Sequence, residues 1–320
     1  TLFPVPHFHE APAPMDERTS FSWRVVLRAF WFSIALAFGV ALLVYVKYVR
    51  WAPVASTHLP PSTQIAVRLQ VEQAVVYEPF RKHLLPLLEA DKTGPETRLK
   101  HVERKTTLEL GVDVREVVFG VGAQDDWVLA LGGLFRRDGV VAGVGRLLTE
   151  EKRSFTLAKD PERVRFDNGV TLGVAVDGTL VAAGSDALLL TALEPHAPGP
   201  FDTSVPGVAT LVARFAEGLD LGEGRQVRSL SGRILPAEDF DFHFEFEVSG
   251  GGWEQPLAVL GAVQSEPARH WIGLSGLTRG RAQALEPGRF QVDGTWTRAE
   301  FESLVAELAA EVRRRAGLPL

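Results

Sequence analysis

From Ala29 to Val46 the chain reads AFWFSIALAFGVALLVYV, eighteen residues without a charge. No other stretch limits its possible folds as much. Arg24 and Arg28 precede the run, and Lys47 and Arg50 follow it. A bilayer's hydrocarbon core takes roughly 20 apolar helical residues to cross, and about 18 uncharged ones make a candidate span. Trp23 and Trp51 lie just outside the run, with Tyr45 and Tyr48 at its exit, where amphipathic rings settle at membrane–water interfaces. A helix of this length buried in a water-soluble core ordinarily carries a polar stripe, and this run has none. It is also longer than the apolar core of a signal peptide, about 7–15 residues. Lys47 and Arg50 interrupt the approach to the weak small-residue site Val54-Ala55-Ser56. The run is therefore expected to be a retained, single transmembrane helix. Arg18, Arg24 and Arg28 on one side outweigh Lys47 and Arg50 on the other, which places the N-terminus in the cytoplasm and the body outside.

Most of the 320 residues follow this run, enough for one large domain or two modest ones. With 46% apolar and 23% charged residues, that body is globular rather than disordered. Residues 1–50 carry five basic and three acidic side chains; of the 34 and 40 in the whole chain, 29 and 37 follow, a net −8. A mildly acidic body argues against nucleic acid as a partner, because phosphate binding needs a basic face. The chain has no cysteine, which excludes disulfides, thiolate catalysis and cysteine metal sites. That absence also fits a domain exported to an oxidising compartment.

The expected organisation is an arm and pre-membrane segment (1–28), the helix (29–46), a proline-rich tether (47–63) and two α+β halves (64–200 and 201–320). The arm, TLFPVPHFHEAPAP, has four prolines and no periodicity. The chain opens on Thr1, and Met15 is its single methionine, so either a start residue is missing or Met15 is the natural start. His7, His9 and Glu10 form a cluster of metal-ligand type, but on a proline-rich arm they are read as accidental. The alternation of Ile65, Val67 and Leu69 predicts a strand over Gln64–Gln70. Helices follow at about Glu78–Ala90, kinked or split at Pro86, and at about Thr97–Leu110, capped by Gly111. A hairpin joins Arg115–Val121 to Trp127–Leu134 around residues 123–126. Val140, Val141, Val144, Leu147 and Leu148 give a helical stripe from about Asp138.

Between Glu162 and Ala183, Asn168-Gly169 and Asp177-Gly178 are turn dipeptides that tolerate positive φ. The segments VRF, VTLGVAV and TLVAA around them predict an antiparallel meander. Ser185 is the N-cap of a helix with Leu188, Leu189 and Leu193 inward. Ala197–Pro206, with three prolines, marks a boundary. The second half is expected to have strands at Ala209–Phe215, Arg228–Leu235, Phe240–Val248, His270–Leu277 and Arg289–Trp296. A joint at Ser249–Gly252 and a weak helix at Trp253–Gln264 interrupt them. The last helix opens on the capping box Thr297-Arg298-Ala299-Glu300, keeps Phe301, Leu304, Val305, Leu308 and Val312 on one face, and ends on Arg313–Arg315, which suit its negative dipole end. Both halves share a loose order of opening strand, hairpin, further strands and closing helix, so the body is read as α+β with antiparallel sheets and packed helices, in two related halves.

Signatures of catalysis are missing. Gly273-Leu274-Ser275-Gly276 lacks the spacing of a nucleophile elbow. Gly120-Val121-Gly122 and Gly143-Val144-Gly145 are fragments of a dinucleotide fingerprint, and no phosphate-loop lysine or His-Glu-x-x-His pattern occurs. The one dense polar cluster is Asp239, Asp241, His243, Glu245 and Glu247, alternating with Phe240, Phe242, Phe244 and Phe246. Strand periodicity puts the acids and His243 on one face and the rings on the other. Carboxylates beside a histidine can bind a cation or serve as acid and base; the preferred reading is an amphipathic strand with a solvated acidic face. Asp125-Asp126 is read as turn chemistry, Arg279, Arg281 and Arg289 as a solvated loop rather than an anion patch, and Arg313–Arg315 as helix capping. No catalytic, cofactor-binding or metal-ligating residue is assigned, and no cofactor is expected.

The span, LPPSTQIAVRL (Leu59–Leu69) and DGTLVAAGSDALLLTALE (Asp177–Glu194) together resemble bacterial single-pass extracytoplasmic proteins of unknown function. Those have one anchor helix, a Leu-Pro-x-x-Thr lead-in to the first strand, and a strand-turn-strand-helix with small residues before the helix. The resemblance implies an anchored α+β envelope domain with no catalytic residues to carry over. The richness in Ala, Gly, Val, Leu and Arg with little Lys also suits a high-GC bacterium. The expected function is thus that of a non-enzymatic accessory or scaffolding subunit of a membrane or envelope complex. It would be anchored in the bacterial inner membrane with a periplasmic body, and its partners would be the bilayer and other membrane or envelope proteins. The alternatives are an envelope enzyme using Asp239–Glu247, or a protein that binds lipid or another apolar ligand.

Overall fold

The structure is a computed structural model, and it describes residues 34, 36–40, 54–83, 86, 98–122, 126–133, 135, 137–196, 207–220, 226–236, 239–249 and 280–316. The chain divides into two compact units, Thr1–Trp51 and Ala52–Leu320. In the first, residues 34 and 36–40 are helical. Most of the apolar run 29–46 lies outside the described residues. Among those described, no helix is long and apolar enough to cross a membrane.

The second unit is α+β, as expected, and its strands form one antiparallel sheet. The strands are β1 (Thr63–Gln70), β2 (Val114–Gly122), β3 (Trp127–Gly133), β4 (Phe155–Lys159), β5 (Glu162–Phe166), β6 (Thr171–Val174), β7 (Leu180–Ala183), β8 (Ala209–Asp220), β9 (Gln226–Pro236), β10 (Phe240–Ser249), β11 (Arg281–Glu286) and β12 (Arg289–Trp296). They lie in the order β11-β12-β10-β9-β8-β1-β2-β3-β7-β6-β5-β4. β1 joins the strands before residue 200 to those after it. Val67 pairs with Phe119 of β2 on one side and with Leu211 of β8 on the other. The boundary stretch 197–206 lies outside the described residues, but the sheet continues across it.

The meander forms as its turn dipeptides require. Gly169 and Gly178 take φ of +87° and +95°, which a side chain would resist. The Asn168 and Asp177 side chains accept from the N–H groups of Val170 and Thr179. β4 and β11, the two sheet edges, are strands that the sequence pattern does not predict. β11 reads RAQALE and carries no apolar alternation. β4 pairs with β5 from Phe155 opposite Phe166 to Lys159 opposite Glu162.

Among the described residues of this unit, seven helices pack on the sheet or on one another: α1 (Val71–Val76), α2 (Glu78–His83), α3 (Arg98–Thr106), α4 (Leu110–Asp113), α5 (Arg137–Glu150), α6 (Asp186–Leu193) and α7 (Arg298–Ala316). The helix expected to run to Leu110 ends earlier. Thr107 turns to φ +56°, and Gly111 sits inside the short α4 rather than capping α3. Pro86 is helical, while residues 84, 85 and 87–97 lie outside the described set. The segments expected as joint, helix and strand over residues 250–279 lie outside it too.

Each sheet face is covered differently along its width. On one face Ala66, Val118, Val128, Ala130, Val181 and Ala183 are buried beneath a 3-10 turn at Ala55–His58 and beneath Leu189, Ala192 and Leu193 of α6. On the opposite face Val140, Val141 and Leu148 of α5 cover β5, β6 and β7. On that same face, beyond β8, Phe240, Phe242, Phe244 and Phe246 are buried with Phe290, Val292 and Trp296 against Phe301 and Val305 of α7. Phe240 stacks on Phe301 at 3.8 Å between centroids, and Tyr77 and Phe80 close the cluster edge-on at 5.1 and 5.5 Å. Burying one such ring contributes roughly 1.5–3 kcal/mol, so this aromatic cluster dominates the second half of the sheet.

The 3-10 turn falls in the stretch read as tether, yet Ala55, Ser56, His58, Leu59 and Pro60 are all buried. Ala55 and Leu59 belong to the core, and between them the His58 ring and the Thr57 carbonyl are hydrogen-bonded to the body.

Candidate functional site

Two polar constellations occupy the first-described face of the sheet. One is the acidic row of β10, placed there because alternate residues of a strand point to opposite faces and the four rings claim the other one. Each acid meets a partner on a neighbouring element. Asp241 accepts from the Thr295 hydroxyl at 2.7 Å, and Glu247 from the Ser229 hydroxyl at 3.0 Å. Asp239 accepts from the Arg298 backbone N–H at 3.3 Å, at the start of α7. His243 lies between Asp293 (2.6 Å at Nδ1) and Glu245 (3.2 Å at Nε2), and Glu245 also meets Arg289 at 3.3 Å. Gln291 donates to the other oxygen of Asp293. Cross-strand bonding across a half-exposed surface is what an amphipathic strand makes of such residues. Among the described residues, no group of three or more His, Asp or Glu is arranged to hold a metal ion.

The remaining candidates do not converge. Asp126 serves the β2–β3 turn through its backbone, its carbonyl accepting from the Gly122 N–H at 2.7 Å; Asp125 lies outside the described residues. Arg281 is exposed on edge strand β11, and Arg289 pairs with Glu245 and Glu286. Arg279, like His7, His9 and Glu10, lies outside the described residues. The capping box forms: the Thr297 N–H donates to the Glu300 carboxylate at 3.0 Å, and the Glu300 N–H to the Thr297 hydroxyl at 3.4 Å. Arg313–Arg315 fall within α7.

The second constellation is buried, and the sequence reading missed it. Arg68 and Glu116, 2% and 0% exposed, meet at 2.5 Å between Nε and Oε1. The other Glu116 oxygen accepts the Ala55 N–H at 3.2 Å. Burial pushes the Glu116 carboxyl up from the usual carboxylate range, against the pull of Arg68 and of the Ala55 N–H. A charge this deep is tolerated only when paired and hydrogen-bonded. Beside it, the His58 ring is wholly buried, with Nδ1 2.7 Å from the Ala192 carbonyl oxygen and Nε2 2.9 Å from Asp177 Oδ2. Burial raises the Asp177 carboxyl, but the bonds from His58 and the Thr179 N–H outweigh it and bring it down to about 2. The Thr57 carbonyl accepts the His196 N–H at 2.7 Å. Together these bonds clamp the 3-10 turn to β2, α6 and the β6–β7 turn.

One signal for this clamp was available. In the alternation of β1, Arg68 shares a face with Ala66, so a charge stands among core positions. The apolar side chain between them, Val67, is instead 38% exposed. It neighbours Phe119, 40% exposed, which stacks on Trp127 at 6.5 Å, so part of the apolar face is half open.

No protein-family model matches the chain, and no curated protein matches it. Among solved structures, the chain is similar to the structure of crystal form I of TP0453, at 10% identity over 81% of this chain and 98% of that one, with a TM-score of 0.45. A likeness of that size carries no argument about this chain.

Proposed function

We propose that the chain is a membrane-anchored, extracytoplasmic domain that acts by binding, as an accessory or scaffolding subunit of a membrane or envelope complex. One observation carries the anchoring. Ile34, Leu36, Phe38 and Val40 are helical yet 42–69% exposed. Such side chains on a helix call for an apolar surrounding, and inside an uncharged run of eighteen residues that surrounding is lipid. The non-enzymatic reading rests on the pairing of the acidic row, whose carboxylates are taken up by structural hydrogen bonds. A binding domain beside a bilayer suits a mildly acidic, firmly packed body.

The test is protease accessibility in intact spheroplasts. The body is expected to be trimmed away, leaving a small membrane-bound fragment. Full protection overturns the orientation, and release of the whole chain by alkaline carbonate overturns the anchor. Purification in mild detergent should bring stoichiometric membrane or envelope proteins with it. A second reading, an apolar-ligand binder, draws on the half-open strip at Val67 and Phe119; quenching of Trp127 fluorescence by a brominated fatty acid would favour it.

A further inference from the structure

His58 is buried with acceptors at both ring nitrogens. The Ala192 carbonyl oxygen can only accept, and so can the Asp177 carboxylate while it is ionised. A neutral imidazole has one N–H to donate. It would leave one of these buried or half-buried acceptors facing a bare nitrogen lone pair, which costs more than the bond was worth. Both bonds are satisfied together only when the ring carries two protons.

The charged groups around the turn are few. Asp177 comes from the β6–β7 turn. Asp186, Glu194 and His196 come from α6 and the residues after it, and Asp186 is held by Arg163 at 2.7 Å. Arg68 and Glu116, from β1 and β2, engage each other and the Ala55 N–H rather than the ring; β3 contributes no charge. Of these, Asp177 is the one bonded to His58.

We propose that residues 55–60 form a proton-operated latch. With His58 doubly protonated, the stem that follows the apolar run is docked against α6 and the β6–β7 turn; loss of one ring proton loosens it. The latch holds while the ring keeps both protons and weakens once rising pH removes one.

Hydrogen–deuterium exchange on the full chain in detergent micelles tests the latch, and its readout does not depend on topology or partners. After correction for intrinsic exchange, peptides covering residues 54–63 are expected to lose at least about tenfold in protection between roughly pH 5.5 and 8.5. Peptides from β10 should keep theirs. H58Q should show low protection at every pH. D177N keeps the turn's bond to the Thr179 N–H and sets an amide N–H opposite Nε2, which satisfies the singly protonated ring, so its protection should persist at high pH. If H58Q does not fold, the wild-type profile and D177N decide the matter. Wild-type protection that is constant with pH overturns the latch, and so does a D177N profile that coincides with the wild type.

Discussion

Arg68 and Glu116, neighbours across β1 and β2, form an ion pair at 2.5 Å with both side chains out of water. Removing one partner of such a pair leaves the other charge buried and uncompensated, at a cost of about 3–5 kcal/mol, whereas replacing both by apolar groups is often neutral or stabilising. We expect Glu116→Leu and Arg68→Met each to lower stability by that order, with Glu116→Leu also leaving the Ala55 N–H without its acceptor. The double variant Arg68→Met/Glu116→Leu should recover most of the loss. Denaturant titrations of the four proteins measure the coupling; additive single losses would show that the pair does not act as a unit.

The acidic row and the rings behind it should respond oppositely to substitution. Phe242 is buried between Trp296 at 4.3 Å and Phe244 at 6.0 Å, and truncation to Ala should cost about 3–5 kcal/mol. Glu245→Gln, on the half-exposed face, should cost less than about 1 kcal/mol. It should also leave complex formation intact in a pull-down from solubilised membranes. A glutamine variant that keeps its fold but loses its partners would make the acidic face the site.

Gly232 on β9 lies directly under the Phe244 ring, and a Cβ there would come within 2.0 Å of Cδ1. Alanine must displace the ring from the aromatic cluster, so Gly232→Ala should destabilise by about 1–3 kcal/mol or more. Gly178 faces open space at φ +95°, so the strain of Gly178→Val is of the backbone alone, about 1 kcal/mol or more. Thermal melts of the two variants, combined with Phe244→Ala, separate the causes. The alanine at 232 should be partly rescued by the smaller side chain at 244, and the valine at 178 should not.

Stability should fall on the acid side through Asp177. Its carboxyl is lowered from 3.8 to about 2 in the folded protein, so the unfolded chain binds the proton more readily. The contribution is complete above the unfolded value and is lost as the pH drops from about 4 through about 2. A fully buried group with that shift would contribute about 2.5 kcal/mol. A third of the side chain is exposed, and screening reduces the figure to about 1–2 kcal/mol. Asp177→Asn should flatten this limb of the pH–stability curve, as read by denaturation midpoints between pH 5 and pH 2.

What the sequence determined by itself was whatever depends on neighbours a few residues apart. The Asn168-Gly169 and Asp177-Gly178 turns, the Ser185 and Thr297 caps, the stripe of α5 and the Phe-in, acid-out alternation of β10 all follow from local geometry, and the α+β class follows from them. The edge strands were less legible. β11 buries little and needs no apolar alternation, and the alternation of Phe155 and Leu157 in β4 is short and half exposed. The tertiary structure alone decided that β1 lies between β2 and β8 and so carries one sheet past residue 200. It also decided that Arg68 meets Glu116, 48 residues away, and that His58 meets Asp177, 119 residues away. Proline and threonine around Ala55–Pro60 read locally as a tether. Burial came only when α6 and the β6–β7 turn supplied acceptors for His58 and β2 supplied one for Ala55, because a buried polar group is stable only where distant chain completes its hydrogen bonds.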